Sequence, residues 1–334
     1  MRFLQYLPEL ERRGLSFVIS PLFKDDYVEA LYGGRSTLGL AGRAMLRRFS
    51  VLWPARELDL IWMEQEALPW MPWLIEGGLL PRGIPLILDC DDAVFHRYDM
   101  HSSRGVRWLL GSKIDAVMRR ADLVAAGNGY LAARARSAGA PRVEVVPTVV
   151  DAERYRPRNR AGGAVTVGWI GSPSTTRYLD SVTGAVSRAS AKAGFDCVAI
   201  GAKADQLGDG TFSAQPWTEA AEVDLLQDID IGIMPLPDTP WARGKCGYKL
   251  IQYMACGKPV VASPVGVNTE IVRHGENGFL AETEAEWEEA LTRLARDPEL
   301  RQRMGASGRR RVEREYSLQV QAPRVVELIR SVVA

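Results

Sequence analysis

Lys249-Leu-Ile-Gln-Tyr-Met-Ala-Cys-Gly-Lys-Pro-Val-Val-Ala-Ser263 reads as a helix that stops and a strand that starts within a few residues. Gly257 ends the helix, and Val260–Ala262 after Pro259 is an apolar run typical of a buried strand. Upstream, Trp241-Ala-Arg-Gly-Lys-Cys-Gly-Tyr-Lys249 carries Arg243, Lys245 and Lys249, interleaved with Gly244 and Gly247. Cations on a flexible glycine backbone suit a departing diphosphate. A solvated loop would explain the same charges. Downstream, Pro264-Val-Gly-Val-Asn-Thr-Glu270 opens another helix, whose N–H groups are expected to point at the same place as loop 243–249. Gly275-Glu-Asn-Gly-Phe-Leu280 is a turn and a short strand.

The same alternation runs through the chain. Strands are expected at Val165–Ile170, Phe195–Ile200, Ile229–Met234, Val260–Ala262 and Gly278–Ala281. An earlier series covers Ser16–Ser20, Leu58–Met63, Leu86–Asp89, Leu123–Ala126 and Val143–Val146, with helices around Arg35–Pro54, Ser103–Arg120 and Gly129–Ala138. This is an α/β pattern, with parallel sheets covered on both faces. A length of 334 residues suits two domains. The polar stretch Asp151–Gly163 reads as the linker, giving domains 1–155 and 156–334. Met1–Arg13 reads as a helix with Phe3, Leu4, Leu7 and Leu10 on one face. A doubly wound domain opens with a central strand. The first domain is therefore expected to lack its first strand: either the central strand has been lost, which is physically expensive, or the true start lies upstream, which is the favoured explanation. The carboxyl end from Trp287 is expected to be helical, with Arg309-Arg310-Arg311 on a solvated face.

Composition is that of an ordinary globular protein: 46% hydrophobic, 25% charged, net charge +1. That balance argues against nucleic acid as a partner. Four dispersed cysteines (Cys90, Cys197, Cys246, Cys256) and three histidines argue against a zinc site or a disulfide framework. No run reaches the roughly 20 apolar residues of a membrane span, and no signal peptide is evident. A cytoplasmic location is expected. The helix Leu38–Trp53, with Arg43, Arg47 and Arg48 beside Leu46, Phe49 and Leu52, allows peripheral contact with the inner face of the plasma membrane. It reads equally as a half-buried helix.

In Val165-Thr-Val-Gly-Trp-Ile-Gly-Ser-Pro-Ser-Thr-Thr-Arg-Tyr-Leu179 a strand runs into Gly171 and Ser172, and a helix is expected to begin near Ser174. Gly171 lets a ligand approach the backbone, and Arg177 could reach a phosphate. A plain strand–helix turn is the alternative. Asp91 and Asp92 follow the strand Leu86–Asp89, where two acidic groups could bind hydroxyls or stabilise positive charge. Asp92 could instead cap the next segment. His96 and His101 read as surface residues. Trp53, Trp62, Trp70 and Trp73 could platform sugars, but core packing is the commoner use.

The block from Gln252-Tyr-Met-Ala-Cys-Gly-Lys-Pro-Val-Val-Ala-Ser263 through Gly266-Val-Asn-Thr-Glu-Ile-Val272 and Gly275–Leu280 resembles family 4 of the retaining glycosyltransferases, glycosyl transferases group 1. The likeness spans nearly all of residues 164–316. It implies a GT-B fold: two Rossmann-like domains facing across a cleft, acceptor side first and nucleotide-sugar side second. Gln5-Tyr-Leu-Pro8 and Asp89-Cys-Asp-Asp92 look like a subgroup acting on bacterial surface polysaccharides. In the family a glutamate pair frames the donor site. Gln252 stands where one glutamate binds the ribose, and an amide can still accept a hydroxyl. Gly244 stands where the other contacts the donor sugar. The basic phosphate-binding pair falls at Ser172 and Arg177, with Lys245 and Lys249 as replacements. Glu270 and the backbone of Gly266, Val267, Asn268 and Thr269 would hold the sugar and phosphates.

The resemblance therefore implies sugar transfer from a nucleoside-diphosphate sugar to a glycan or lipid-linked acceptor, with retention. Lys249 and Arg177 would stabilise the leaving diphosphate, Asp91 and Asp92 would face the acceptor, and neither metal nor cofactor is required. Gly244 and Gln252 keep open a non-catalytic nucleotide-sugar-binding module, and a nucleotide-sugar 2-epimerase is a further alternative.

Overall fold

The structure is a computed structural model and describes residues 2–52, 57–158, 162–208 and 210–333. Trp53 and the end of the first basic helix lie outside the described residues, as do residues 159–161 of the expected linker. Contacts divide the chain into two units, one of Tyr6–Val146 with the chain from Arg324 onward, the other of Pro147–Pro323 with the first five residues.

The first unit holds four parallel strands, β1 (Ile61–Glu64), β2 (Leu86–Cys90), β3 (Leu123–Ala126) and β4 (Val143–Val145), in the order β1-β2-β3-β4. The central strands β2 and β3 are buried along their whole length, small and apolar except for the buried Asp89 of β2. Ser16–Ser20, expected as a strand, pairs with nothing and forms none. Its Val18 and Ile19 are exposed. The opening helix is present as a short turn Leu4–Tyr6 and a helix Leu7–Arg12, and Leu7 and Leu10 are buried.

The second unit holds β5 (Thr166–Ile170), β6 (Asp196–Ile200), β7 (Ser213–Gln215), β8 (Ile231–Met234), β9 (Val260–Ala262) and β10 (Gly278–Leu280), all parallel, in the order β10-β9-β8-β5-β6-β7. Side chains alternate between two cores. Val198 and Ile200 join the core under the helix Tyr248–Ala255, whereas Cys197 and Ala199 join the core under the helices Thr183–Ala193 and Glu284–Arg296. The chain leaves β5 toward β6 and returns to β8 on its other side. This reversal opens a crevice at the carboxyl ends of β5 and β8, the usual ligand position of an open α/β sheet.

Two stretches expected to be solvated are packed instead. Tyr155, within the expected linker, is 3% exposed in the core of the second unit. Arg309 donates to the carbonyls of Ala152, Tyr155 and Ala255, and Arg311 pairs with Glu315 at 3.0 Å. The Arg309 guanidinium satisfies main-chain carbonyls that would otherwise be orphaned where helix meets loop. Of the three arginines, Arg310 is exposed.

Candidate nucleotide-sugar site

The helix Tyr248–Ala255 is fixed against the sheet by Tyr253. Its hydroxyl accepts the N–H of Ile170 at 2.9 Å and donates to the carbonyl of Ile233 at 3.3 Å. It therefore clips the helix to the ends of β5 and β8. Lys249 lies four residues earlier, on the same helix face. Its ammonium reaches past the carboxyl end of β5 and lies 4.1 Å from the centroid of the Trp169 ring. No carboxylate or carbonyl bonds it among the described residues. Burial, reinforced by Lys245, lowers its pKa to about 7.

Gly171 makes this approach possible. A Cβ there would stand 2.7 Å from Lys249 Nζ and 2.3 Å from the Trp169 ring. The loop Pro264–Val267 closes on the neighbouring loop at Gly266, whose φ is 55° and whose Cβ would lie 2.7 Å from the Arg243 carbonyl. The N–H groups of Gly266 and Val267 have no acceptor among the described residues. The ammonium stands over glycine backbone at the switch point, and main-chain donors are offered by the loop that closes on Arg243; each of these features attracts an anion.

The remaining expected residues are distributed differently. Ser172 donates its N–H to Thr175 Oγ1 at 3.2 Å, and the helix expected near Ser174 is a 3-10 turn, Thr176–Ser181, before the α-helix Thr183–Ala193. Arg177 is exposed and lies over the Tyr178 ring. Arg243 forks onto Asp238 at 2.6 and 2.8 Å, which holds that carboxyl below its usual pKa. Lys245 lies over Trp241, and Gly244 ends the short helix Pro240–Arg243. Gln252 is 2% exposed, and its amide donates to the Tyr155 hydroxyl at 3.2 Å. Tyr155 donates in turn to Glu222, which also accepts from Trp217 Nε1 at 2.8 Å. Asn268 is wholly buried and holds the Ser263 carbonyl at 3.1 Å. Thr269 and Glu270 are exposed.

In the first unit, Asp91 and Asp92 are half-buried at the end of β2, and Gln65 donates to Asp91 Oδ1 at 2.5 Å. His96 is held between Asp99 and the Tyr130 hydroxyl, each at 2.8 Å. His101 accepts the N–H of Ser103 at 3.0 Å. In the helix Leu38–Leu52, Arg47 and Arg48 bond the carbonyls of Ser20, Pro21 and Leu22. Trp169 and Tyr253 were missed as site residues because aromatics within an apolar run read simply as core.

A cavity of 680 Å³ lies at the opposite ends of β5 and β6, near Thr166, Asp196 and Ser213. Its hydroxyls serve the fold, as Ser190 donates to the Phe195 carbonyl and Ser213 to that of Cys197. No described helix is long and apolar enough to cross a membrane. Among the described residues no three His, Cys, Asp or Glu side chains are grouped to hold a metal ion. The four cysteines are buried, and none is in a disulfide.

Comparison with known proteins follows this geometry. The chain is similar to the solved structure of Anabaena HepE in complex with UDP and glucose, at 18% identity and a TM-score of 0.67, over 89% of this chain and 83% of that one. It is also similar to sucrose-phosphate synthase from Thermosynechococcus elongatus (17% identity, TM-score 0.66, 86% and 77% covered). A third similar structure is a glycosyltransferase from Rickettsia africae (12% identity, TM-score 0.61, 87% and 82% covered). These likenesses define a GT-B fold of two Rossmann-like domains. Residues 215–311, which contain Lys245, Lys249 and the loop 264–270, match the family Glycosyl transferases group 1. No curated protein matches the chain.

Proposed function

We propose that the chain is a glycosyltransferase that moves a sugar from a nucleoside-diphosphate sugar to a glycan or lipid-linked acceptor. The observation that carries this reading is the Lys249 ammonium, desolvated at the switch point with a cation neighbour and with no counter-charge among the described residues. A buried charge is tolerated when a ligand completes it. A diphosphate would accept from Lys249, Lys245 and the N–H groups of Gly266 and Val267, and its negative charge grows as the sugar bond breaks. The match over residues 215–311 and the UDP and UDP-glucose complexes of HepE support a nucleotide-sugar donor.

Retention, assignment to family 4 and a role in bacterial surface polysaccharide synthesis belong to the same proposal. In front-face retaining chemistry the leaving phosphate oxygen takes the acceptor proton, so side-chain cations suffice without a metal. In this reading Gln252 acts through Tyr155 to shape the site rather than by touching the ribose. Cytoplasmic location and contact with a membrane surface follow from a lipid-linked acceptor.

Calorimetric titration with UDP, GDP and ADP, followed by transfer from the matching sugar donors, tests the reading. Binding of one nucleotide that is lost in Lys249→Met, with acceptor-dependent nucleotide release, is expected. No binding of any nucleotide would overturn it. Nucleotide binding without turnover would favour the non-catalytic module, and epimerised sugar from donor alone would favour the epimerase. The anomeric proton coupling of the product reports retention.

A further inference from the structure

The segment following β1 holds two side chains on left-handed backbone, Gln65 at φ 61° and Trp70 at φ 65°. A bulky residue adopts this conformation only when its surroundings force it. The force is visible. The N–H of Trp70 donates to the Tyr98 hydroxyl at 3.0 Å, and Tyr98 donates to Glu66 at 2.8 Å. Burial raises the Tyr98 pKa, so the phenol remains a donor. Glu66 shares the Lys113 ammonium with Glu76, at 2.6 and 2.9 Å. Lys113 also donates to the Leu68 carbonyl at 2.6 Å, and Glu76 accepts the N–H groups of Ala67 and Leu68. Glu76 and Lys113 are 0% and 2% exposed, and Glu66 is 9% exposed.

A buried ionic cluster is an expensive way to stabilise a loop, since apolar residues of similar volume would serve as well. Here it fixes a shape. The result is an indole that stays 49% exposed. Its ring stands nearly perpendicular to those of Tyr98 and His101, with centroids 5.3 and 5.8 Å away. At the other end of the segment Gln65 holds Asp91, just beyond β2. The loop therefore presents a rigid aromatic surface and a fixed carboxylate at the carboxyl edge of one sheet. A rigid aromatic loses little freedom on binding. A pyranose ring would lay its C–H face on the indole, and the carboxylate would accept hydroxyls elsewhere on the same glycan.

We propose that Trp70 is a stacking platform for a sugar ring of the acceptor glycan, with Asp91, oriented by Gln65, accepting from hydroxyls elsewhere on that glycan. This rests on the glycosyltransferase reading, and the test separates the two. The probes are maltopentaose, cellopentaose and chitopentaose, titrated calorimetrically into the full chain with and without UDP. At least one is expected to bind the parent protein. Trp70→Ala should weaken that binding about tenfold or more, while Trp70→Phe, which keeps a ring, stays within about threefold. UDP affinity should not change in either variant, and circular dichroism should report the parent fold in both. Binding of none of the three to the parent, or Trp70→Ala binding as the parent does, would overturn the proposal. Absent binding of UDP, GDP and ADP alike, alongside Trp70-dependent oligosaccharide binding, would remove the transferase reading and leave the sugar platform.

Discussion

Raising the pH from about 7 to about 9 should loosen a nucleoside diphosphate through one side chain. Lys249 has its pKa lowered to about 7, because burial and Lys245 disfavour its charge. A bound diphosphate reverses that penalty and lifts the pKa back toward the value of a free lysine. At about pH 7 half of the empty sites carry the ammonium, and at about pH 9 roughly one in a hundred does. If binding requires the charged form, apparent affinity falls about fifty-fold over that interval. With ADP as the ligand the base does not titrate and the terminal phosphate, with a second pKa of about 6, is roughly nine-tenths ionised at about pH 7 and more so above, so a fall in affinity belongs to the protein. Isothermal titration in two buffers of different ionisation enthalpy should give uptake of close to one proton at about pH 8.5. Lys249→Arg, charged throughout, should flatten the profile, and Lys249→Met should bind weakly at every pH. Parent affinity that changes less than about twofold between pH 7 and 9, or binding without proton uptake, would refute the reasoning.

Other outcomes follow from the same geometry. A lysine with a lowered native pKa opposes folding most below that value. Without ligand, stability should therefore rise with pH between about 7 and 10, and Lys249→Met should melt higher than the parent at neutral pH. In Gly171→Ala the new methyl would press on Trp169 and the ammonium, costing about 1–3 kcal/mol in chemical denaturation and weakening nucleotide binding. Arg243→Ala should change nucleotide affinity by less than about threefold, because its exposed guanidinium is already forked onto Asp238. Lys113→Met should be strongly destabilising, about 3–5 kcal/mol in urea unfolding, since two buried carboxylates lose their shared counter-ion.

Sequence patterns carried most of the fold because parallel strands are buried on both faces and read as short apolar runs. β3 and β9 fall where those runs lie. Ser16–Ser20 has the same apolar character, but a strand also needs a partner, which periodicity cannot reveal. β7, Ser-Ala-Gln, escaped because a short edge strand carries no apolar signal. At the site, loop 243–249 was legible as a cluster of cations. The fate of each cation was not. Arg243 turns to Asp238 and Lys249 to Trp169, choices set by helix register and by room at Gly171. The family resemblance implies a ribose contact for Gln252. Its burial beside Tyr155 depends on residues 97 positions apart.

The helix Leu318–Val333 contains Pro323, and the chain beyond it packs with the amino-terminal unit. Arg324 reaches Glu144 across 180 residues, Arg142 reaches Ser331 across 189, and Arg330 bonds the Arg13 carbonyl across 317. On the ribosome, the amino-terminal unit must wait for a segment made after the second unit. Its surface under that helix end stays open while the second unit is being synthesised, so folding of this chain cannot proceed strictly from the amino terminus onward.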